Sequence, residues 1–297
     1  KTLGGRASPM PDLLSVAASP IVCSESLSIE GVLNALYPMP MTPKILTLET
    51  GASIAYHQSP GAGPGAVFLC GFMSDMTGSK AIWLEEFCIQ RGQAFLRFDY
   101  QGHGASSGNF ADGDVGVWAA DAIAAIEKLT SGAQILIGSS MGGWIMLKTA
   151  LAMAERMAGL IGIAAAPDFT EDLLCAELSA AQMGEIQTHG LTRIASDYDD
   201  DYVITKALLE EGRKHLVLCS EIALDCPVRL IHGLEDNSVP WETALKIQER
   251  LRSTDVEVIL VKNGDHRLSE RQDLDRLGRT LDALIDQGKK SSSRTEA

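Results

Sequence analysis

Basic residues are scarce in this chain: 25 Lys and Arg stand against 39 Asp and Glu, a formal net charge of −14. Gripping nucleic acid or an anionic membrane surface needs a basic face, so no nucleic-acid partner is expected. No apolar run approaches the ~20 residues of a helical membrane span, and stable membrane insertion is not expected. Cys23, Cys70, Cys88, Cys175, Cys219 and Cys226 are scattered and form no Cys-x-x-Cys pair, which in a chain this long reads as reduced thiols. There is no His-Glu-x-x-His and no Cys/His array, so no metal is expected. Gly78-Ser79-Lys80 lacks the spacing of a phosphate loop, and Gly102-His103-Gly104 lacks the third glycine of a dinucleotide fingerprint. No cofactor is expected. The segment 13–23 is too short, is broken by Pro20 and has no small-residue cleavage site, so it does not read as a secretory signal. With Asp12, Glu25 and Glu30 and few arginines it makes a poor transit peptide. A cytoplasmic location is expected, with the mitochondrion as the alternative.

What remains is a globular composition, 45% hydrophobic and 22% charged over 297 residues, long enough for one large core without staples. Residues 1–41 show no period and carry repeated prolines, so a disordered leader is expected, either an upstream extension or a genuine mobile segment. Patterning begins near Met41. Strands are predicted at 45–49, 53–57, 66–70, 94–98, 134–137 and 160–165, with 60–65 as a loop. Helices are predicted at 78–90, 115–129 and 142–156. From about 168 to 222 no strong strand is found, only helical stretches at 173–183 and 203–211 around an acidic loop, Asp197 to Asp201, for which calcium is a remote alternative. Strands at 228–232 and 256–261 alternate with helices at 241–252 and 271–285. Residues 288–297 read as a disordered tail. The alternation predicts one α/β domain over 42–287, with a mostly parallel sheet flanked by helices and a helical lid insertion.

Two segments fit Gly-x-Ser-x-Gly, a pattern that requires strand–turn–helix context to mean anything. Gly104-Ala105-Ser106-Ser107-Gly108 has no helix after it. Gly138-Ser139-Ser140-Met141-Gly142 lies directly between a predicted strand and a predicted helix. A nucleophile on such a turn needs small residues two positions away; Ser140 has Gly138 and Gly142, whereas Ser139 has Ile137 and Met141. The hydroxyl then needs a base and an orienting acid. His57 and His232 end predicted strands and His215 lies in the insertion, so these read as packing. His266 follows the last strand, in a loop that opens on the same sheet edge as Ser140. Asp236 follows the preceding strand, and Asp168, after the strand ending at Ala165, is its rival. Asp99, also after a strand, reads as a loop anchor.

The chain order serine, acid, histidine resembles the α/β-hydrolase arrangement over roughly 42–287. Several stretches resemble the mitochondrial palmitoyl-protein thioesterase and acyl-glucuronide esterase branch and its bacterial relatives. They are Gly138-Ser139-Ser140-Met141-Gly142-Gly143-Trp144, Cys226-Pro227-Val228-Arg229-Leu230-Ile231-His232-Gly233, Val239-Pro240-Trp241, and Ser253-Thr254-Asp255-Val256 with Asp265-His266-Arg267. The resemblance implies Ser140, Asp236 and His266 as the triad, and so favours Asp236 over Asp168. It also implies an oxyanion hole from the backbone N–H groups of Phe72 and Met141. Many members have His-Gly where this chain has Cys70-Gly71; the donor is backbone, so the hole is unaffected.

The expected activity is cofactor-free hydrolysis of an acyl ester or thioester through an acyl-enzyme, on a small molecule or an S-acylated protein. A general small-ester carboxylesterase and a triad-retaining receptor with negligible turnover are the alternatives. Leu173, Leu174, Leu178, Met183 and Leu208 are candidate linings of an acyl pocket, against ordinary packing of the insertion. Arg267 is expected either in an ion pair or facing an anionic part of the substrate.

Overall fold

Short runs rich in Val, Ile and Phe, each followed by a helix-forming stretch, place strands in the middle of the molecule with helices on both faces. The computed structural model describes residues 42–195 and 201–295. Among these, an eight-stranded sheet runs in the order β1 (Lys44–Thr47), β2 (Ser53–Ser59), β4 (Gln93–Phe98), β3 (Ala62–Leu69), β5 (Gln134–Ser139), β6 (Met157–Ile163), β9 (Val228–Gly233), β10 (Val256–Val261). Only the β1–β2 and β2–β4 pairings are antiparallel. From β4 to β10 the neighbours are parallel, and their carboxyl ends open on one edge. The central strand β5 is buried along its whole length.

Helix α1 (Ser79–Arg91) packs against α7 (Arg271–Thr295), α2 (Val115–Leu129) packs along α3 (Met141–Ala152), and α6 (Glu242–Arg250) packs on β10. α3 is apolar apart from Lys148 and Thr149, and Trp144, Ile145, Met146 and Leu147 are fully buried, so most of this helix belongs to the core. Asp114 caps α2 through its side chain, accepting from the N–H groups of Gly116 and Val117. α7 buries Leu277, Leu281 and Leu284, one stripe at helical spacing. Asp99, at the end of β4, accepts from the Met76 and Ala105 N–H groups at 2.6 and 2.9 Å, as a loop anchor does. Among the described residues no helix is long and apolar enough to cross a membrane.

The insertion departs from the expectation of helices alone. The predicted helix over 173–183 is two pieces: a π turn, Thr170–Leu174, runs on through Cys175–Glu177, and Leu178 is extended. Ser179 then caps α4 (Ala180–His189) in a capping box with Gln182, a local signal that stops one helix and starts another. Strands β7 (Leu191–Ile194) and β8 (Tyr202–Thr205) pair antiparallel where no strand was predicted. The helix expected over 203–211 begins only at Lys206 as α5 (Lys206–Gly212), capped by Thr205. Val203, Ile204 and Thr205 are β-branched, and pairing with β7 wins over the helical period.

Two smaller differences follow from propagation of elements past their apolar cores. β3 starts at Ala62, inside the predicted 60–65 loop, with a register shift before Ala66. α7 continues to Thr295, through most of the segment expected to be a disordered tail, since adding residues to an existing helix costs far less than nucleating one. The expected leader 1–41 and Asp197 to Asp200 of the acidic loop lie outside the described residues, while Asp201 is exposed.

Candidate active site

Ser140 sits between the end of β5 and the first residue of α3, with φ 55° and ψ −122°. That left-handed backbone is strained for a residue with a Cβ and is held by its surroundings: the Ser140 N–H donates to the Ile163 carbonyl at 2.9 Å, and its carbonyl accepts from Gly143 and Ala166. A Cβ on Gly138 would collide with the Gly142 carbonyl, and one on Gly142 with the Leu69 carbonyl. The small residues on either side of Ser140 are therefore a steric necessity of the turn. Gly71, after β3, passes so close that a Cβ there would lie 3.4 Å from the Ser140 Cβ.

Beyond β10, the loop carrying His266 brings Nε2 to 3.1 Å from Ser140 Oγ. Nδ1 lies 2.8 Å from Asp236 Oδ2, on the loop beyond β9. A nitrogen facing a carboxylate donates, which leaves Nε2 to accept the serine hydroxyl proton. The Asp236 carboxylate is fully buried. Burial works to raise its pKa, but hydrogen bonds from His232 and His266, the charge of His266 and the Val239 N–H outweigh that and hold it well below the usual carboxylate range. Its other oxygen accepts from the Ser238 and Val239 N–H groups at 2.9 and 2.8 Å.

His232, expected only to pack, is a second histidine on the same acid. Its Nε2 lies 3.1 Å from Asp236 Oδ2 and 3.0 Å from the Val239 carbonyl, two acceptors that require this nitrogen to carry the hydrogen. Its buried Nδ1 has no partner among the described residues. The sequence signal was present: His232 lies at the carboxyl end of β9, four residues before Asp236.

The rival residues are occupied elsewhere. Asp168 (φ 58°) accepts from the Val217 N–H at 2.9 Å and the Leu218 N–H at 2.8 Å, pinning the chain as it returns from the insertion. Burial raises its pKa, with those N–H groups opposing. Ser106 Oγ accepts from the Ala55 N–H and donates to the Asp99 carbonyl, tying the loop after β4 to β2. His57 is buried in β2, and His215 Nδ1 lies 2.8 Å from Lys148 Nζ, so neither reaches the serine.

Two cavities meet at Ser140 and His266. One, of about 230 Å³, is bordered on the insertion side by Phe169, Leu173, Leu174, Ile194 and Ile204 and by Met141, with Glu177, Asn237 and Ser238 also on its wall. Leu173 and Leu174 are where the sequence reading put them. Leu178, Met183 and Leu208 do not border this cavity: Leu208 is buried in the core and Leu178 and Met183 pack half-buried against it, while the hairpin residues Ile194 and Ile204 line the cavity, because β7 and β8 were not foreseen. The other cavity, of about 190 Å³, is bordered by the charged and hydroxyl side chains of Asp75, Lys80, Arg267 and Ser269 and by Phe68, Phe72 and Ala81. Phe72 and Tyr202, in edge contact with ring centroids 5.6 Å apart, border both. The Met141 N–H, first in α3, has no acceptor within the helix, and Phe72 follows Gly71; both residues border the cavity that holds the serine.

Residues 60–277 match the alpha/beta hydrolase family. The human mitochondrial palmitoyl-protein thioesterase ABHD10 is 41% identical over 236 residues, which cover 79% of this chain and 77% of that protein. The structure of the mouse alpha/beta hydrolase domain-containing protein 10 is similar with a TM-score of 0.77 at 40% identity, covering 83% of this chain and 99% of that one. A putative hydrolase from Agrobacterium vitis S4 is similar with a TM-score of 0.79 at 36% identity, over 83% of this chain and 100% of that one.

Proposed function

Since the chain belongs to the alpha/beta hydrolase family, we propose that it hydrolyses acyl thioesters and esters, with Ser140 as nucleophile, His266 as base and Asp236 as orienting acid. The observation that carries this reading is the unbroken hydrogen-bonded line from Ser140 through His266 to buried Asp236, opening on a cavity that carries Phe169, Leu173, Leu174, Ile194 and Ile204. Ser140 Oγ attacks the acyl carbonyl while its proton passes to His266 Nε2. Asp236 keeps the proton on Nδ1 and stabilises the imidazolium that forms. The developing oxyanion is taken by the N–H groups of Phe72 and Met141, each such donor being worth roughly 10²–10³ in kcat. His266 then gives its proton to the departing thiolate or alkoxide, leaving an acyl-Ser140. Water, deprotonated by His266, attacks that ester and regenerates the hydroxyl. The steps need only these groups and water.

The acyl chain lies along the Leu173, Leu174, Ile194 and Ile204 side of the larger cavity, where burial of each CH₂ against apolar side chains contributes about 0.8 kcal/mol. The curated relatives named palmitoyl-protein thioesterase favour a thioester of a long acyl chain, with an S-acylated protein as one substrate; an acyl glucuronide is a second substrate that rests on the sequence resemblance alone. Their names also favour the mitochondrial alternative over the cytoplasm. The catalytic domain is assigned to 42–287.

Matched octanoyl thioesters and oxoesters, followed through many turnovers, test the activity. The thioester is expected to have the higher kcat/KM. A preference for the oxoester would make the protein a carboxylesterase, and an absence of turnover would make it a binding protein. A fluorophosphonate probe is expected to label Ser140, with no adduct on Ser139 or Ser106 on peptide mapping.

A further inference from the structure

The N–H groups assigned to the oxyanion differ in how they are held. That of Met141 is fixed by the helix it begins. That of Phe72 lies in a loop. Among the described residues the turn from Gly71 to Ser74 is closed by one backbone bond, the Ser74 N–H donating to the Gly71 carbonyl at 3.2 Å, with the Cys70 thiol 3.4 Å from the Ser74 carbonyl. Met73, the next residue, has φ 50°, a left-handed backbone that persists in a residue with a Cβ only where its surroundings impose it. The aim of the Phe72 N–H therefore depends on what anchors the Phe72 side chain.

That ring meets Phe110, Phe169, Tyr202 and Trp118 edge-on, with centroids 4.9, 5.5, 5.6 and 6.2 Å away. Edge contacts of this kind fix a ring's direction as well as its distance. Phe110 and Trp118 stack on each other, and Trp118 is fully buried and donates through Nε1 to the Gln101 carbonyl at 3.1 Å. This pair is a wall of the α/β core. The other rings come from the insertion. Phe169 also meets Trp144 of α3 edge-on at 5.7 Å, three residues beyond Met141, so one ring spans the segments that carry the donors. Tyr202 is half-buried at the start of β8, a strand that packs on the turn carrying Phe110.

We propose that the insertion positions the oxyanion hole as well as bordering the acyl cavity, and that Tyr202 is the positioning residue, acting through the Phe72 ring. The proposal rests on the hydrolase reading. Phe72 and Tyr202 both border the two cavities, so without Tyr202 the Phe72 ring has open space to turn into and its N–H loses its aim. The oxygen it serves carries full charge only in the tetrahedral state, so the loss falls on kcat rather than on substrate binding.

The test pairs turnover of an octanoyl thioester with inhibition by octyl trifluoromethyl ketone and by the matching trifluoromethyl carbinol. With the ketone, Ser140 Oγ adds to the carbonyl carbon, its proton passes to His266 Nε2, and the carbonyl electron pair becomes an oxyanion in the hole. The carbinol has no carbonyl to attack. In Tyr202→Leu, which fills the space without a ring edge, kcat should fall about tenfold with KM held within about twofold, and the ketone should lose its advantage over the carbinol by the same factor. Tyr202→Val, which suits a strand, should repeat the result if the leucine disturbs the hairpin. In Tyr202→Phe both effects should largely disappear. Equal losses on ketone and carbinol, or a raised KM with kcat kept, would overturn the proposal and leave Tyr202 as a cavity wall. A Tyr202→Phe variant as impaired as Tyr202→Leu would overturn it by placing the effect on the hydroxyl. No turnover by the native protein, a result distinct from all of these, would bring down the hydrolase reading itself.

Discussion

At the scale of single residues, the two aspartates that follow strands differ in what they hold. Asp236 accepts from two histidines and two backbone N–H groups, whereas Asp168 accepts only from the backbone at Val217 and Leu218. Asp236→Asn removes the charge that stabilises the imidazolium and favours the wrong tautomer, so kcat should fall on the order of 10⁴-fold. Asp168→Asn keeps a carbonyl acceptor and should cost less than about tenfold in kcat, while weakening the fold by about 1–3 kcal/mol as its buried bonds are rearranged. Both follow from kinetics on one substrate together with thermal melts. The Asp236 pKa is depressed in the fold. Its stabilising contribution is therefore whole above about pH 4 and lost as pH falls through the folded value. Melts between about pH 6 and pH 3 should show native protein losing more of its Tm than Asp236→Asn. His232 was read from the sequence as packing because it ends a strand; that it donates to the acid depends on the fold of the loop between them.

Among the elements, the nucleophile turn and the insertion sit at opposite extremes of legibility. The turn was readable because Gly138 and Gly142 are demanded by backbone contacts within a few ångströms, so the steric rule is written locally. The insertion was not, since β7 and β8 have four residues each and form only by pairing with one another. The run Tyr202-Val203-Ile204-Thr205 was the available signal, and its propensity was outweighed in the reading by the helical stretch that follows. Ile204 is fully buried and borders the acyl cavity. Ile204→Ala should cost about 2–5 kcal/mol of stability. It should also shift the kcat/KM ratio toward longer acyl chains, as measured on a chain-length series of p-nitrophenyl esters. A drop in activity with no change in chain-length preference would remove Ile204 from the cavity's function.

For the whole molecule, the unit from Pro43 onward contains every residue of the proposed site. A chain beginning at Met41 should therefore keep its activity and its melting temperature. Loss of solubility, or a large fall in Tm, would show that the leader contributes to the fold. The sequence by itself determined the fold class and the serine turn. Alternating strand and helix periods specify a parallel sheet, and a serine flanked by glycines between strand and helix specifies where its backbone must be strained. The period of strands and helices left Asp236 and Asp168 both open and only the family resemblance favoured Asp236; the tertiary structure brings Asp236 to His266, sets His232 behind it, and makes two cavities meet at the serine. His266 lies 30 residues from Asp236 and 126 from Ser140 in the chain. Such meetings are fixed by the packing of whole strands and loops at one sheet edge, and a local period of 2 or 3.6 residues carries no information about them.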